Sequence, residues 1–481
     1  ERGYPSRLTD GPVDRLVASA IALGLFAIIA FVASARININ EFSLHHFYKN
    51  RLVRCYLGAS NRRRQANSFT GFDPRDDFPL SFLTPTPARP DGKPKPPYYG
   101  PYAIVNRAPN LNTGWEPAQQ ERKGTSFVFT PQVSGFDPFT REQVQALPGA
   151  GPSPLGYRPT WGYANAHGPN LGTTVAISGA AANPNWGYHT SGPVAFLLTV
   201  FNARLGWWLG NPRWPKASAK DGPTLALKYL FAELLGQTTN RTPFVNLSDG
   251  GHFENLGLYE LVRRRTRFII VCGAEEDGGL TFGSLGGVVR KCRADFGVEI
   301  DIDPAPIRRG PDGSSGAHCV VGTITYPELE PAFAARLTGG VQALGMGRVP
   351  RARGWLLYLK SSLTGDEPAD VIEYQAAHPE FPHESTGDQF FSESQFESYR
   401  RLGLHVLRSA FDGVDVTPGR AESGSDVALA ARYPLIGIFQ ALARRWYAPI
   451  PVTAEAATRL ADAYVETMRR QVLSHPYAAG I

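Results

Sequence analysis

The stretch Val245-Asn246-Leu247-Ser248-Asp249-Gly250-Gly251-His252-Phe253-Glu254-Asn255-Leu256-Gly257-Leu258-Tyr259-Glu260-Leu261 decides how the rest of the chain is read. A short β-prone run ends on a carboxylate, two glycines turn the chain, and amphipathic helical spacing follows. This order predicts a strand over 244–247, a tight turn at Asp249-Gly250-Gly251 and a helix over 253–265. It places one acid on a loop at the carboxyl edge of a sheet, where open α/β sheets carry their reactive groups. Asp is also a favoured helix N-cap, and the turn alone fits that role. The run Gly250, Gly251, Asn255, Leu256 and Gly257 is more than a generic cap needs.

Working outward, residues 173–177 read as a strand, and Ser191 caps a helix through 204 with Pro193 in its first turn. Further helices are expected over 224–235, 285–296, 388–407 and 453–473, and strands over 267–272, 298–302 and 355–363. Strands alternating with helices argue for an α/β fold with a mostly parallel sheet covered by helices.

The N-terminal part is different in kind. The uncharged run 17–34 meets the ~18-residue threshold for a membrane span. A signal peptide fits less well, because Asp10 and Asp14 occupy its n-region and no clear cleavage site follows. A transmembrane helix over about 17–35 is expected. Arg36, Lys49, Arg51, Arg54 and Arg62 to Arg64 follow it, against Arg2, Arg7 and Arg15 before it, which puts the C-terminal part in the cytoplasm. Residues 42–57 have helical spacing with Phe47, Tyr48, Lys49, Arg51 and Arg54, as a juxtamembrane helix against headgroups or a plain capping helix. Prolines crowd 72–101, and short strands and Pro/Gly loops run on to 160 as an insertion or cap. The expected division is 1–36, 37–160 and 161–481.

Composition sets limits on this reading. With 42% hydrophobic and 19% charged residues among 481, wholesale disorder is excluded. A net charge of +6 favours anionic partners; the basic residues fall in short runs, with no nucleic-acid motif, so a lipid surface is the expected partner. Cys55, Cys272, Cys292 and Cys319 lack CxxC spacing and form neither a disulfide framework nor a zinc site, consistent with a reducing compartment. His378 and His383 lie near Glu380 and Glu384, but Pro379 and Pro382 break any helical ligand spacing, so no metal site is expected there.

Several further stretches resemble one family. They are Asn40-Glu41-Phe42-Ser43-Leu44-His45, Arg51-Leu52-Val53-Arg54, Tyr56-Leu57-Gly58-Ala59, Gln120-Glu121-Arg122-Lys123 with Ser126-Phe127, and Ala176-Ile177-Ser178-Gly179-Ala180-Ala181. Arg290-Lys291-Cys292-Arg293-Ala294-Asp295-Phe296-Gly297, residues 360–370 and Phe381-Pro382-His383-Glu384-Ser385-Thr386-Gly387-Asp388-Gln389-Phe390-Phe391 continue the likeness. With residues 248–265 they resemble bacterial membrane-associated patatin-like phospholipases, which are similar to the animal group-four cytosolic phospholipases. The resemblance covers most of 38–403.

It implies a patatin-like α/β fold and a lipid acyl hydrolase, of phospholipase or lysophospholipase type, using a Ser-Asp dyad. Asp249 would be the general base, with Gly250, Gly251, His252 and Asn255 contacting substrate and no cofactor needed. His252 also fits a plain first-turn helix position. The implied location is the bacterial inner membrane, with membrane lipids as substrate. The family's Gly-rich oxyanion loop and Gly-x-Ser-x-Gly elbow have no match here; Gly313-Ser314-Ser315-Gly316 reads as a turn. Ser178 is the serine with the small neighbours an elbow requires, but Asn183-Pro184-Asn185 interrupts the helix that should follow. Glu1 in place of an initiator Met fits a C-terminal portion whose nucleophile lies upstream of Glu1. The competing reading is a membrane-tethered scaffold or regulatory domain, in which Asp249 is only a helix cap.

Overall fold

A run of apolar residues with no proline after Pro12 builds the first helix, α1 (Pro12–Arg36, 25 residues), and Arg36 in its last turn complements the helix dipole. At about 37 Å it is long and apolar enough to cross a bilayer core of about 30 Å. Its side chains are bare: Leu23 is 72% exposed and Phe26 70%. The computed structural model describes residues 12–41, 43–86, 89–111, 122, 124–136, 156–182, 198, 203–328, 351–388, 390–414 and 434–447. Most of the helix expected over 191–204, and all of that over 453–473, lie outside them.

Two compact units divide the chain, Glu1–Phe253 and Glu254–Ile481. In the first, α2 (His45–Leu52) runs on into a π turn at Val53–Gly58. Strands β1 (Val105–Pro109), β2 (Phe127–Phe129), β3 (Val133–Gly135), β4 (Tyr157–Pro159), β5 (Trp207–Gly210) and β6 (Phe244–Ser248) form one sheet in the order β4-β3-β2-β1-β6-β5. Neighbouring strands are all antiparallel, with Ala108 opposite Ser248 and Trp207 opposite Leu247. Alternation along β6 sends Val245 and Leu247 to a core with Phe127, Phe129, Phe136 and Tyr163. Phe244 points the other way, to Trp208, Trp214 and Tyr229. Each such buried aromatic contributes roughly 1.5–3 kcal/mol.

The end of α1 is tied into this unit. Buried Ser34 accepts at Oγ from the Leu227 N–H (2.8 Å), satisfying a donor at the start of the helix Ala226–Leu234. Asn40 then behaves as an extra strand residue on edge strand β5. It accepts from Trp208 N at 2.9 Å and donates to Trp208 O at 2.9 Å, closing part of an open sheet edge.

Residues 173–177 do not form the strand expected of Thr-Thr-Val-Ala-Ile. They belong to α3 (Leu171–Ser178). The helix start is held from a distance: Asp77 Oδ1 accepts from Gly172 N at 2.8 Å, and Thr174 and Ile177, one helical turn apart, are buried. Tertiary capping and packing override the local β preference.

The helix Ala226–Leu234 becomes α4 in order. In the second unit β7 (Phe268–Gly273), β8 (Glu299–Asp301), β9 (Cys319–Tyr326) and β10 (Ala352–Lys360) are ordered β7-β10-β9-β8. β10 is parallel to β7 and antiparallel to β9. Helices α5 (Leu258–Arg263) and α6 (Gly283–Phe296) pack on the face carrying Leu356 and Tyr358. Helices α7 (Ala369–Ala377), α8 (Glu393–Phe411) and α9 (Pro434–Trp446) cover the face carrying Trp355, Leu357 and Leu359. This is a mixed α/β chain. The mostly parallel sheet expected from strand–helix alternation is not found among the described residues, where β7–β10 is the one parallel strand pair. The reason is the partners: β1, one of the short strands expected before 160, and β9, a strand absent from the sequence reading, insert antiparallel beside β6 and β10. The helix expected over 253–265 is shorter because Gly257, with φ of 68°, turns left-handed and α5 starts only after it.

Candidate active site

β6 delivers Asp249 to its carboxyl end, where the side chain caps the 3₁₀ turn Gly250–His252. Oδ1 accepts from Gly251 N at 2.7 Å, and among the described residues Oδ2 has no hydrogen-bond partner. The carboxyl is partly buried, and burial pushes its pKa above the ordinary aspartate value, opposed by the Gly251 hydrogen bond. Its main-chain N–H reaches Ala180 O at 3.3 Å, which joins the turn to the segment after α3.

Ser178 ends α3, and its Oγ donates to Asn106 O on β1 at 2.6 Å. The same carbonyl crowds the Asp249 turn: a Cβ at Gly250 would stand 2.9 Å from it, so only glycine fits without a shift. At Gly179 the neighbour is a side chain, since a Cβ there would come within 2.5 Å of the Tyr48 hydroxyl. Burial, and then the Asp249 charge, raise the Tyr48 phenol above its usual pKa. Tyr48, Ser178, Asn106 and Asp249 therefore share one neighbourhood. Ser178 does not occupy a strand-to-helix elbow: it sits at the carboxyl end of a helix, where the dipole disfavours an oxyanion.

His252 closes a hydrogen-bonded chain through the unit. The indole N–H of Trp208, which can only donate, bonds Glu233 Oε1, and Asn246 Nδ2 donates to the same oxygen at 2.8 Å. Asn110 Nδ2 donates to Asn246 Oδ1 at 2.6 Å, and Ser248 Oγ to Asn110 Oδ1 at 3.0 Å. Ser248 has then spent its one hydrogen, so it accepts from His252 Nδ1–H at 2.8 Å. This sense of the chain assigns the His252 tautomer with Nε2 as its acceptor nitrogen. Arg204, 3.6 Å from Glu233 Oε2, anchors the far end; both side chains are fully buried. Burial raises the Glu233 pKa, and Arg204 opposes the rise.

Asp249, Gly250, Gly251 and His252 thus lie on one turn, with Ser178 beside it. Asn255 belongs to the second unit, where it donates to Ser284 Oγ at 3.2 Å. Gly313-Ser314-Ser315-Gly316 is a turn, with Gly310 N bonded to Ser314 O at 2.7 Å and Gly313 at a φ of 85°. Trp207 and Trp208 lie on β5 and are buried. Tyr48, Asn106, Asn110 and Ser248 were not read as site residues. Tyr48, Asn106 and Asn110 are brought in by packing from remote segments, whereas Ser248 directly precedes Asp249 and only its bonds to Asn110 and His252 mark it.

Comparison with known proteins finds no matching family model, no matching curated protein and no matching solved structure. The chemistry open to the site is that of a partly desolvated carboxyl with one oxygen oriented by the main chain and the other able to take a proton.

Proposed function

We propose that this chain is part of a membrane-anchored, patatin-like lipid acyl hydrolase in which Asp249 is the general base of a Ser-Asp dyad. The observation that carries the reading is Asp249 itself: a partly buried carboxyl at a strand end, raised by burial, with Oδ2 unengaged among the described residues. In this reading Asp249 takes the serine proton as the oxygen attacks the acyl carbonyl, and returns it to the departing lysolipid alcohol. Water then attacks the acyl-serine, giving its proton to Asp249, and free fatty acid leaves as the serine is restored. The exposed apolar α1 would hold the chain in the inner membrane with its globular part in the cytoplasm, and exposed Arg51 and Arg54 would face anionic headgroups. Ser178 gives its hydrogen to Asn106 O rather than to Asp249, so this reading does not make Ser178 the nucleophile.

One observation favours the scaffold reading instead: the Asp249 Oδ1 to Gly251 N bond is an N-cap. Asp249→Asn in the complete protein separates the two, since Asn caps as well as Asp. Fatty-acid release from phospholipid vesicles should fall by about 10²-fold or more with an unchanged melting temperature. Full activity in the variant, or a wild-type protein that releases no fatty acid, would overturn the hydrolase.

A further inference from the structure

We infer that the second unit carries a divalent-metal site, best suited to zinc, built from His318, Asp366, Glu367 and His405. One ligand atom from each of the four lies within 4.8 Å of all the others. Three remote segments supply them: His318 immediately precedes β9, Asp366 and Glu367 follow β10, and His405 projects from α8. The His318 and Glu367 side chains are 1% and 3% exposed, which makes this a different object from a solvated acidic patch. Asp366, 70% exposed, and His405, 17%, open it to entering ions.

Hydrogen-bond accounting supplies an independent reason. Ser362 Oγ lies 3.3 Å from Ala317 O and 3.4 Å from Lys360 O, carbonyls that can only accept. Its hydrogen goes to one of them, so at 3.1 Å it accepts from His318 Nδ1–H. The lone pair of His318 is then on Nε2, inside the cluster, as a hydrogen bond from the other ring nitrogen arranges for a metal-bound imidazole. Inside the cluster the Thr364 hydroxyl has one hydrogen but three acceptors: Asp366 Oδ1, His318 Nε2 at 3.0 Å and Glu367 Oε1 at 3.4 Å. Main-chain donors fix the Glu367 carboxylate, with Gly365 N at 2.9 Å from Oε2.

Two imidazoles with two carboxylates suit a first-row divalent ion rather than calcium or magnesium, which favour all-oxygen shells. Zinc exceeds manganese and iron in affinity for such donors. His405 Nε2 is 3.1 Å from Asp366 Oδ1, and it ligates with its proton on Nδ1. The ion would staple the starts of the segments after β10 and before β9 to α8.

The test uses the full chain in detergent, stripped with chelator, then titrated with zinc chloride by calorimetry and counted for retained metal. About one ion per chain and a raised melting temperature are expected. Asp366→Asn combined with His405→Ala should weaken zinc by roughly 10–100-fold while leaving the metal-free melting temperature unchanged. Cobalt substitution of the wild type gives a second readout independent of any variant. Visible bands without thiolate charge transfer are expected. No retained zinc, equal affinity in the double variant, or a thiolate band that assigns the ion to cysteines would each overturn the site.

Discussion

Ser178 gives its hydroxyl hydrogen to the main-chain carbonyl of Asn106 across 2.6 Å, and that carbonyl also crowds Gly250 of the Asp249 turn. The serine that lies beside the candidate base is thus a strut between α3 and β1. Ser178→Ala should cost about 1 kcal/mol of stability, the worth of one hydrogen bond. Fatty-acid release by the complete protein should stay within about twofold of wild type, since the variant lies outside the chemistry. A loss of about 10²-fold without unfolding would instead make Ser178 the nucleophile.

Glu233 holds the inner end of the chain that reaches His252 through Asn246, Asn110 and Ser248. Removing its carboxylate strips the buried Arg204 guanidinium of its counter-charge. Glu233→Ala should therefore cost about 3–5 kcal/mol in urea unfolding, and Glu233→Gln less, because it keeps an acceptor for the Trp208 indole. A loss below about 1 kcal/mol for the alanine variant would show that the pair does not anchor the network.

His45 is buried on α2 against Trp207, with ring centroids 4.4 Å apart, and burial holds its pKa down to about 3 from 6.5. The unfolded chain takes this proton near 6.5 and the folded chain does not. Its contribution is complete above 6.5, and is lost as pH falls from 6.5 towards 3. By pH 5 the loss is roughly 2 kcal/mol. Urea midpoints at pH 7 and pH 5 measure it, and His45→Gln should flatten that difference. An equal acid loss in the variant would place the titrating group elsewhere.

Legibility followed the range of the forces involved. The strand before Asp249, the strand near 267–272 and the helix near 285–296 appear close to their expected places because hydrophobic periodicity is a local signal. The stretch 173–177 failed that test. Its β-branched residues speak for a strand, yet Asp77, far away in the chain, caps it as a helix. The direction of a strand relative to its neighbours is equally invisible when the neighbour is a short strand such as Val105–Pro109, whose place in the sheet no local pattern gives. The His318 cluster escaped for the same reason: its members come from separate segments, without the close spacing that marks a helical or loop-borne metal site.

Local sequence alone suffices for the long apolar helix, the Asp-Gly-Gly turn after a strand and the α/β character of the chain. All three depend on residues adjacent in the chain, where backbone preference and burial pattern coincide. Packing between distant segments settles that the described strands pair mostly antiparallel, that Ser178 is bonded to Asn106, and that His252 is wired through Ser248 to Glu233. Those outcomes rest on long-range partners satisfying buried polar groups. The need for a partner is written in each residue, but which partner arrives is settled only when the segments pack.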